Sequence, residues 1–276
     1  MEYLKHDLSY GDPTKWIDLH FISDSHLGAV GHNSKALTER IKSIEQNPRA
    51  VWFGVGDLGD YIFYSDPRFT MSMIRNADDF KEFKQGIGKQ VRQIAYKFEP
   101  IAKKCIGLGT GNHEEKIVQR YDGYDPTWDL CERLKVKYMG YSALTILKIN
   151  TIHEKSNTVN YVKVFTHHGF GGGRRVGSKL NKVEDAMKVA DADIYAMAHV
   201  HAKTGNKIIV KGINSAGKPI EQEKVFIITG SFQDNSVKGA TTYAERMMFT
   251  KTPDGSPTVR IRWTGNKHRL ETQVVL

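Results

Sequence analysis

The strongest constraint on the fold is an alternation, through the first 115 residues, between short apolar runs and amphipathic stretches. Ile17–Ile22 and Ala50–Val55 have the composition of buried strands, and a third such run covers 104–108. Between the first two, Asn33 and Ser34 are helix-capping residues. Leu37, Ile41 and Ile44 then recur on one helical face until Asn47-Pro48 stops it. Between the second and third, the spacing of Phe80, Phe83, Ile87, Val91, Ile94 and Phe98 predicts a helix over 78–99, and Pro100 either ends it or opens the next segment. Strand, helix, strand, helix, strand implies α/β architecture with a largely parallel sheet, because parallel neighbours need a crossover between them. Ligands in such folds sit on the loops that follow the carboxyl ends of the strands. Here those loops carry Asp24, His26, Asp57, Asn112 and His113.

The second half predicts a helix near 126–134 and strands near 142–149 and 159–166, the latter running into His167-His168. A helix over 178–190 then leads to a strand at 193–198 and to His199-Val200-His201. Beyond 205 the pattern is β-rich, with strands near 206–213, 222–229, 243–249, 258–263 and 271–275 and a turn at Asn214–Pro219. No repeat, low-complexity tract or linker interrupts the chain. A single domain over 1–276 is expected, its last portion either completing a second sheet or capping the site.

Composition narrows the class. With 39% hydrophobic and 26% charged residues the chain reads as globular. No apolar run approaches the roughly 20 residues needed to span a bilayer, so no membrane partner is expected. The first residues, Met-Glu-Tyr-Leu-Lys-His, lack a basic segment followed by an apolar one, so no secretory signal is apparent. Cys105 and Cys131 have apolar neighbours and form no CxxC pair, which reads as free thiols and a cytoplasmic location. The net charge of +9 fits a polyanionic partner such as nucleic acid, or simply a solvated basic surface. Oligomeric state is not fixed by the sequence.

Asp24-x-His26 and His199-x-His201 are i, i+2 pairs, and at a strand end side chains two apart project to one side. Carboxylate and imidazole suit zinc, manganese, iron or nickel. Asp57 and Asn112 add oxygen donors, and His167 or His168 adds a nitrogen. These donors suffice for two divalent metal ions if one carboxylate is shared, the usual clamp for in-line displacement at phosphorus. Each piece alone has an ordinary explanation in turn chemistry or coincidence. Their shared position just after strands is what argues for a site.

The series Asp24-x-His26, Gly56-Asp57-x-x-Asp60, Gly111-Asn112-His113-Glu114, His167 and His199-x-His201 resembles the calcineurin-like metallophosphoesterase superfamily. The blocks come in the family's order over residues 17–201, with Ala198 where the family usually has glycine before the last His-x-His. The resemblance implies a four-layer αββα sandwich of two mixed β-sheets with a dimetal site on the strand C-terminal loops. It implies one metal on Asp24, His26, Asp57 and His201, and a second on Asp57, Asn112, His167 and His199. Asp57 is then the bridge, and His168 is the alternative to His167. Manganese is expected first, with zinc, iron or nickel as alternatives. A hydroxide held between the cations would attack phosphorus. His113 would protonate the leaving oxygen or stabilise its charge, and Asp60 would orient His113.

Asp60 is followed by Tyr61-Ile62 rather than the Arg-Gly of the superfamily's phosphoprotein phosphatases, which counts against that branch. Ser23-Asp24-Ser25-His26-Leu27-Gly28 is similar to the first block of its double-strand-break repair nucleases, although Glu114 stands where those nucleases usually have aspartate. Gly169-Phe170-Gly171-Gly172-Gly173-Arg174-Arg175, followed by Lys179 and Lys182, could hold the non-reacting part of a phosphodiester. Arg174, Arg175, Asn112 and His113 are therefore expected to touch substrate. Tyr61, Phe63 and Tyr64 could stack on a base or simply pack. The expected activity is metal-dependent phosphodiester hydrolysis, in nucleic acids or nucleotides. A phosphomonoesterase of small phosphates and a non-catalytic metal-binding scaffold are the alternatives.

Overall fold

The computed structural model describes residues 1–276 except 13, 63–85, 121–122, 154–155, 174, 214–215, 247, 249 and 265–268. Two six-stranded mixed sheets face each other. The first contains β2 (Ile17–Ile22), β3 (Ala50–Val55), β4 (Cys105–Gly109) and β5 (Tyr138–Gly140), all parallel, and is extended by β11 (Thr258–Thr264) and β12 (Arg269–Val275) in the order β12-β11-β2-β3-β4-β5. The second has the order β1-β6-β7-β8-β10-β9. Its strands are β1 (Glu2–Tyr10), β6 (Ser142–His153), β7 (Ser156–His167), β8 (Ile194–Met197), β9 (Lys203–Ile213) and β10 (Pro219–Thr229). The C-terminal strands thus complete both sheets: β9 and β10 enter one, β11 and β12 the other.

Strand parity sets the layers. In β2 and β3, Leu19, Phe21, Val51, Phe53 and Val55 face the other sheet, where they meet Leu147, Val162, Val164, Ile194 and Ile227. The alternate residues Ile22 and Trp52 face α1 (Ser34–Gln46), α2 (Gly86–Phe98) and α4 (Pro126–Leu134), packing on Leu37, Ile41, Val91, Ile94, Phe98 and Leu130. Across the molecule, Phe165, Tyr195 and Phe226 on the outer side of the second sheet are covered by Val183 of α5 (Val176–Asp185). Helices, sheet, sheet, helix make the expected four layers, with strands buried on both faces reading as near-continuous apolar runs.

Asn33 caps α1 as expected, its Oδ1 accepting from Ala36 N. The predicted helix over 78–99 is observed as α2 and a 3-10 segment over Glu99–Lys104, while its first residues lie outside the described ones. Of the strand expected over 243–249, the residues Tyr243–Arg246 are helical instead, and 247 and 249 lie outside the described residues. Thr242 Oγ1 accepts from Glu245 N at 3.1 Å, the arrangement of a helix cap, and Tyr243–Arg246 is a short helix, α6. No helix among the described residues is long and apolar enough to cross a membrane, and both cysteines are buried free thiols.

Candidate metal centre

The loops after β2, β3 and β4 of one sheet meet those after β7 and β8 of the other at a single place. There, Asp24, His26 and His201 form one group and Asp57, His168 and His199 a second, the ligand atoms of each group lying within 4.8 Å of one another. Asp57 joins them: its Oδ2 lies 3.8 Å from His26 Nε2 and 3.2 Å from His168 Nε2. Asn112, first residue of α3 (Asn112–Arg120), belongs to the second group, with its Oδ1 2.8 Å from His199 Nδ1 and 3.1 Å from His168 Nε2. In the first group, Asp24 Oδ1 is 3.2 Å from His201 Nε2.

The i, i+2 pairs do not converge by strand alternation, because both lie beyond their strands. Asp24 (φ +47°), His26 (+42°), Asp57 (+52°), His199 (+71°) and His201 (+49°) all adopt left-handed backbone conformations, which for residues other than glycine are uncommon and strained. Main-chain bonds from Asp24 N to Gly56 O and from His26 N to Asp57 O, both 3.1 Å, hold the first two loops together. Glycine is required where the loops touch. A Cβ on Gly111 would stand 2.2 Å from Asp57 Oδ1, and one on Gly56 (φ +85°) would stand 2.6 Å from His168 Nδ1.

His168, rather than His167, faces the second group. Along β7, Val162 and Val164 point to the opposite sheet and Phe165 away from it, so His168 shares the inward side and His167 the outward one. The His168 Nδ1–H donates to Val55 O at 2.8 Å, which turns Nε2 to the site. His167 instead accepts from Gly169 N at 2.7 Å, and its ring stacks on Phe165.

His113 donates from Nδ1 to the Asp60 main-chain carbonyl, a very short contact. The Asp60 carboxylate lies 3.6 Å from that nitrogen and 3.4 Å from His26 Nδ1, between the two rings. Asp60 thus orients His113 chiefly through its backbone. Sequence reasoning gave Glu114 no role, although it ends the Gly-Asn-His-Glu block. Its buried carboxylate accepts from Asp57 N, Leu58 N and Gly111 N, each at 3.0 Å, and from Gly59 N at 3.4 Å, riveting the β3 loop to the β4 loop. Burial and the charge of Asp57 push Glu114 up to about 7 against the pull of those amides. Ser23, also missed, donates to Asp24 Oδ2 at 2.7 Å. His199 N donates to that same oxygen, leaving Oδ1 directed into the site.

The electrostatics fit a cation pair. Burial opposes ionisation of Asp24 and Asp57, yet neighbouring imidazoles outweigh it and hold both carboxyls below the usual range. Burial likewise opposes a charge on His168, but Asp57 and Asp24 raise it to about 10. Buried carboxylates that draw protons onto their histidines are carboxylates short of positive charge. Asp24 Oδ1 and His26 Nε2 are buried with no hydrogen-bond partner among the described residues, and such orphans point to a missing ligand. An oxygen and imidazole donor set of this kind fits zinc, manganese, iron or nickel.

Arg175 is exposed at the start of α5, and Arg174 lies outside the described residues. Lys179 and Lys182 turn their ammonium groups to backbone carbonyls. Lys179 Nζ donates to Val200 O, and Lys182 Nζ to Phe170 O and Gly172 O, tying down the glycine-rich loop. Tyr61 is a packing residue, 3% exposed, with its amide held by Gln90 Oε1, whereas Phe63 and Tyr64 lie outside the described residues.

No protein-family model and no curated protein matches the sequence. Among solved structures, the chain is similar to NAD nucleotidase (NadN) of Haemophilus influenzae, at 8% identity and a TM-score of 0.41. The match covers 94% of this chain and 49% of that one, so the chain spans about half the length of that protein. It is also similar to Vps29 of Chaetomium thermophilum, at 10% identity and a TM-score of 0.32 over 94% of each chain. Likenesses this distant do not bear on chemistry. Two stacked mixed sheets between helical layers, with Asp, Asn and His donors gathered on the loops after β2, β3, β4, β7 and β8, make the four-layer αββα sandwich that the sequence resemblance implies.

Proposed function

We propose that the chain is a two-metal phosphodiesterase. The observation that carries the reading is the meeting of two donor groups at the Asp57 carboxylate. Asp24, His26, Asp57 and His201 would hold one ion, and Asp57, Asn112, His168 and His199 the other. Divalent cations at such a pair of sites polarise phosphoryl oxygens and let water ionise near neutral pH.

The protein's own groups do the rest. Because a carbonyl only accepts, the His113–Asp60 bond keeps the proton on Nδ1 and assigns proton exchange to Nε2. The backbone N–H of His113 donates to Asp57 Oδ1 at 2.9 Å, so the proton-transferring residue and the shared carboxylate are fixed to each other. His113 and Asn112 stand at the start of α3, whose N-terminal dipole favours a phosphate there. Arg175, exposed at the start of α5 after the glycine-rich loop, is assigned to the non-reacting ester group. Tyr61-Ile62 in place of Arg-Gly supports a diester over a phosphoprotein.

The test is a comparison of bis(p-nitrophenyl) phosphate with p-nitrophenyl phosphate, using metal-stripped protein with manganese, zinc, nickel, iron or magnesium added back. Diester turnover restored first by manganese is expected. A preference for the monoester overturns the diesterase assignment. Unchanged turnover in both His113→Ala and Asp57→Asn rules out the mechanism altogether.

A further inference from the structure

A groove of about 650 Å³ lies on the outer side of the helical layer, away from the metal loops. Arg92 and Tyr96 of α2, Glu99 and Lys103 of the following 3-10 segment, and Arg133 and Lys135 at the end of α4 line it. Four cations thus face one carboxylate. Among the described residues Arg133 is held by Asp129 at 2.8 Å, whereas Arg92, Lys103 and Lys135 enter no ion pair. Tyr96 lines the groove with these unneutralised charges and is 80% exposed, uncommon for so large a ring.

We propose that this groove is a secondary binding site for single-stranded nucleic acid. Unpaired Arg and Lys side chains track a phosphate backbone, and an exposed aromatic ring in the same groove offers a stacking platform for any base. The groove is also coupled to the metal loops by α2 itself. Gln90 on that helix accepts from the amide of Tyr61, next to Asp60, and lies against Gly28 of the β2 loop. Tyr96 follows about 9 Å further along the same helix. α2 therefore links the groove to the loop that carries Asp60, and a polymeric substrate long enough to reach both would engage them together. The proposal rests on the phosphodiesterase reading for its choice of ligand, and it adds the polymeric nature of the substrate and the surface that holds it.

The experiment measures fluorescence anisotropy of a fluorescein-labelled 15-nucleotide oligothymidylate with the full chain in EDTA, so that nothing is cleaved, between 50 and 200 mM KCl. An Arg92→Glu, Lys103→Glu, Lys135→Glu triple variant is expected to weaken binding at least tenfold. It should also flatten the slope of log affinity against log salt by about 2, the release expected for three phosphate contacts to a single strand. Tyr96→Ala is expected to weaken binding at least fivefold with the slope unchanged. Both variants should hydrolyse bis(p-nitrophenyl) phosphate within twofold of the parent, since that substrate is too small to reach the groove, and this also reports correct folding. Unchanged affinity in the triple variant overturns the proposal. So does equally tight, equally variant-sensitive binding of a labelled oligoglutamate, which would make the groove a site for acidic protein segments. A parent protein that binds the strand through these residues yet hydrolyses no diester supports the groove and overturns the reading of the metal loops.

Discussion

Glu114 holds the β3 loop to the β4 loop with one carboxylate, two amides on each oxygen. Glutamine has the same shape but would turn an NH2 group toward two N–H donors. Glu114→Gln is therefore expected to cost about 2–5 kcal/mol in urea unfolding, through buried donors left unsatisfied, and to lower metal content by letting Asp57 and Asn112 drift apart. The neighbouring histidines give a sharper contrast. His168→Ala should remove one of two bound ions and lower turnover by at least about a hundredfold, the scale seen when groups that position a metal-assisted reaction are lost. His167→Ala should change turnover less than about tenfold, since it loses a hydrogen bond from Gly169 N and ring contacts to Phe165, Tyr141 and Phe170 but no contact to the donor groups. Metal analysis and steady-state rates on both variants decide the matter, and the reverse pattern would show that the two side chains are misplaced. The distinction was readable in the sequence by parity, because inward Val162 and Val164 put His168 and not His167 on the site side. Ending the strand at its last residue overlooked that count. Left-handed backbone at five donors was not readable, because nothing in Asp-x-His reports φ.

At the scale of elements, Arg40 pins α1 to two strands. Its Nη1 donates to His20 Nδ1 on β2 at 3.0 Å and to Thr258 Oγ1 on β11 at 2.9 Å, and its Nη2 to Ser256 O. Burial, reinforced by Arg40 and Lys104, lowers His20 from 6.5 to about 3. The fold therefore keeps this imidazole neutral while the unfolded chain protonates it below about pH 6.5. Its contribution to stability is complete above that pH and is lost as the pH falls toward 3, with a slope of up to about 1.4 kcal/mol per pH unit. Urea unfolding of the parent between pH 7 and 4 should show this decline, and His20→Gln should be flatter over the same range. Parallel slopes would mean that other groups carry the acid sensitivity. The elements legible in advance, β2, β3, β4, α1 and α4, owe their form to runs or stripes of apolar residues. Those missed owe it to neighbours. β1 exists because it pairs residue for residue with β6, some 140 positions away in sequence, and its alternating Leu4, Leu8 and Tyr10 only half bury. α3 presents few apolar residues, chiefly Ile117, and is set by its position at the metal loops.

On the scale of the whole molecule, the donors come from both sheets, so cations would add a further link between two layers that already meet through the apolar core and through hydrogen bonds such as His168 Nδ1 to Val55 O and Lys207 Nζ to Thr272 O. Manganese added to stripped protein should raise the thermal midpoint, by about 2.7 kcal/mol of stability per site at a hundred times its dissociation constant. Differential scanning calorimetry that shows no shift with saturating manganese, zinc or nickel would contradict a two-ion site. The four-layer plan was legible because alternation and motif order agreed. The placement of the C-terminal strands in two different sheets was not, since short β segments carry no label for their partners. The left-handed donors give the site a lasting tension with heat resistance. Each such residue costs roughly 1–3 kcal/mol that an asparagine or glycine would partly relieve. A library sorted for thermal survival alone, with chelator present, would therefore drift toward those residues at Asp24, His26, Asp57, His199 and His201, and its hardiest members would be inert.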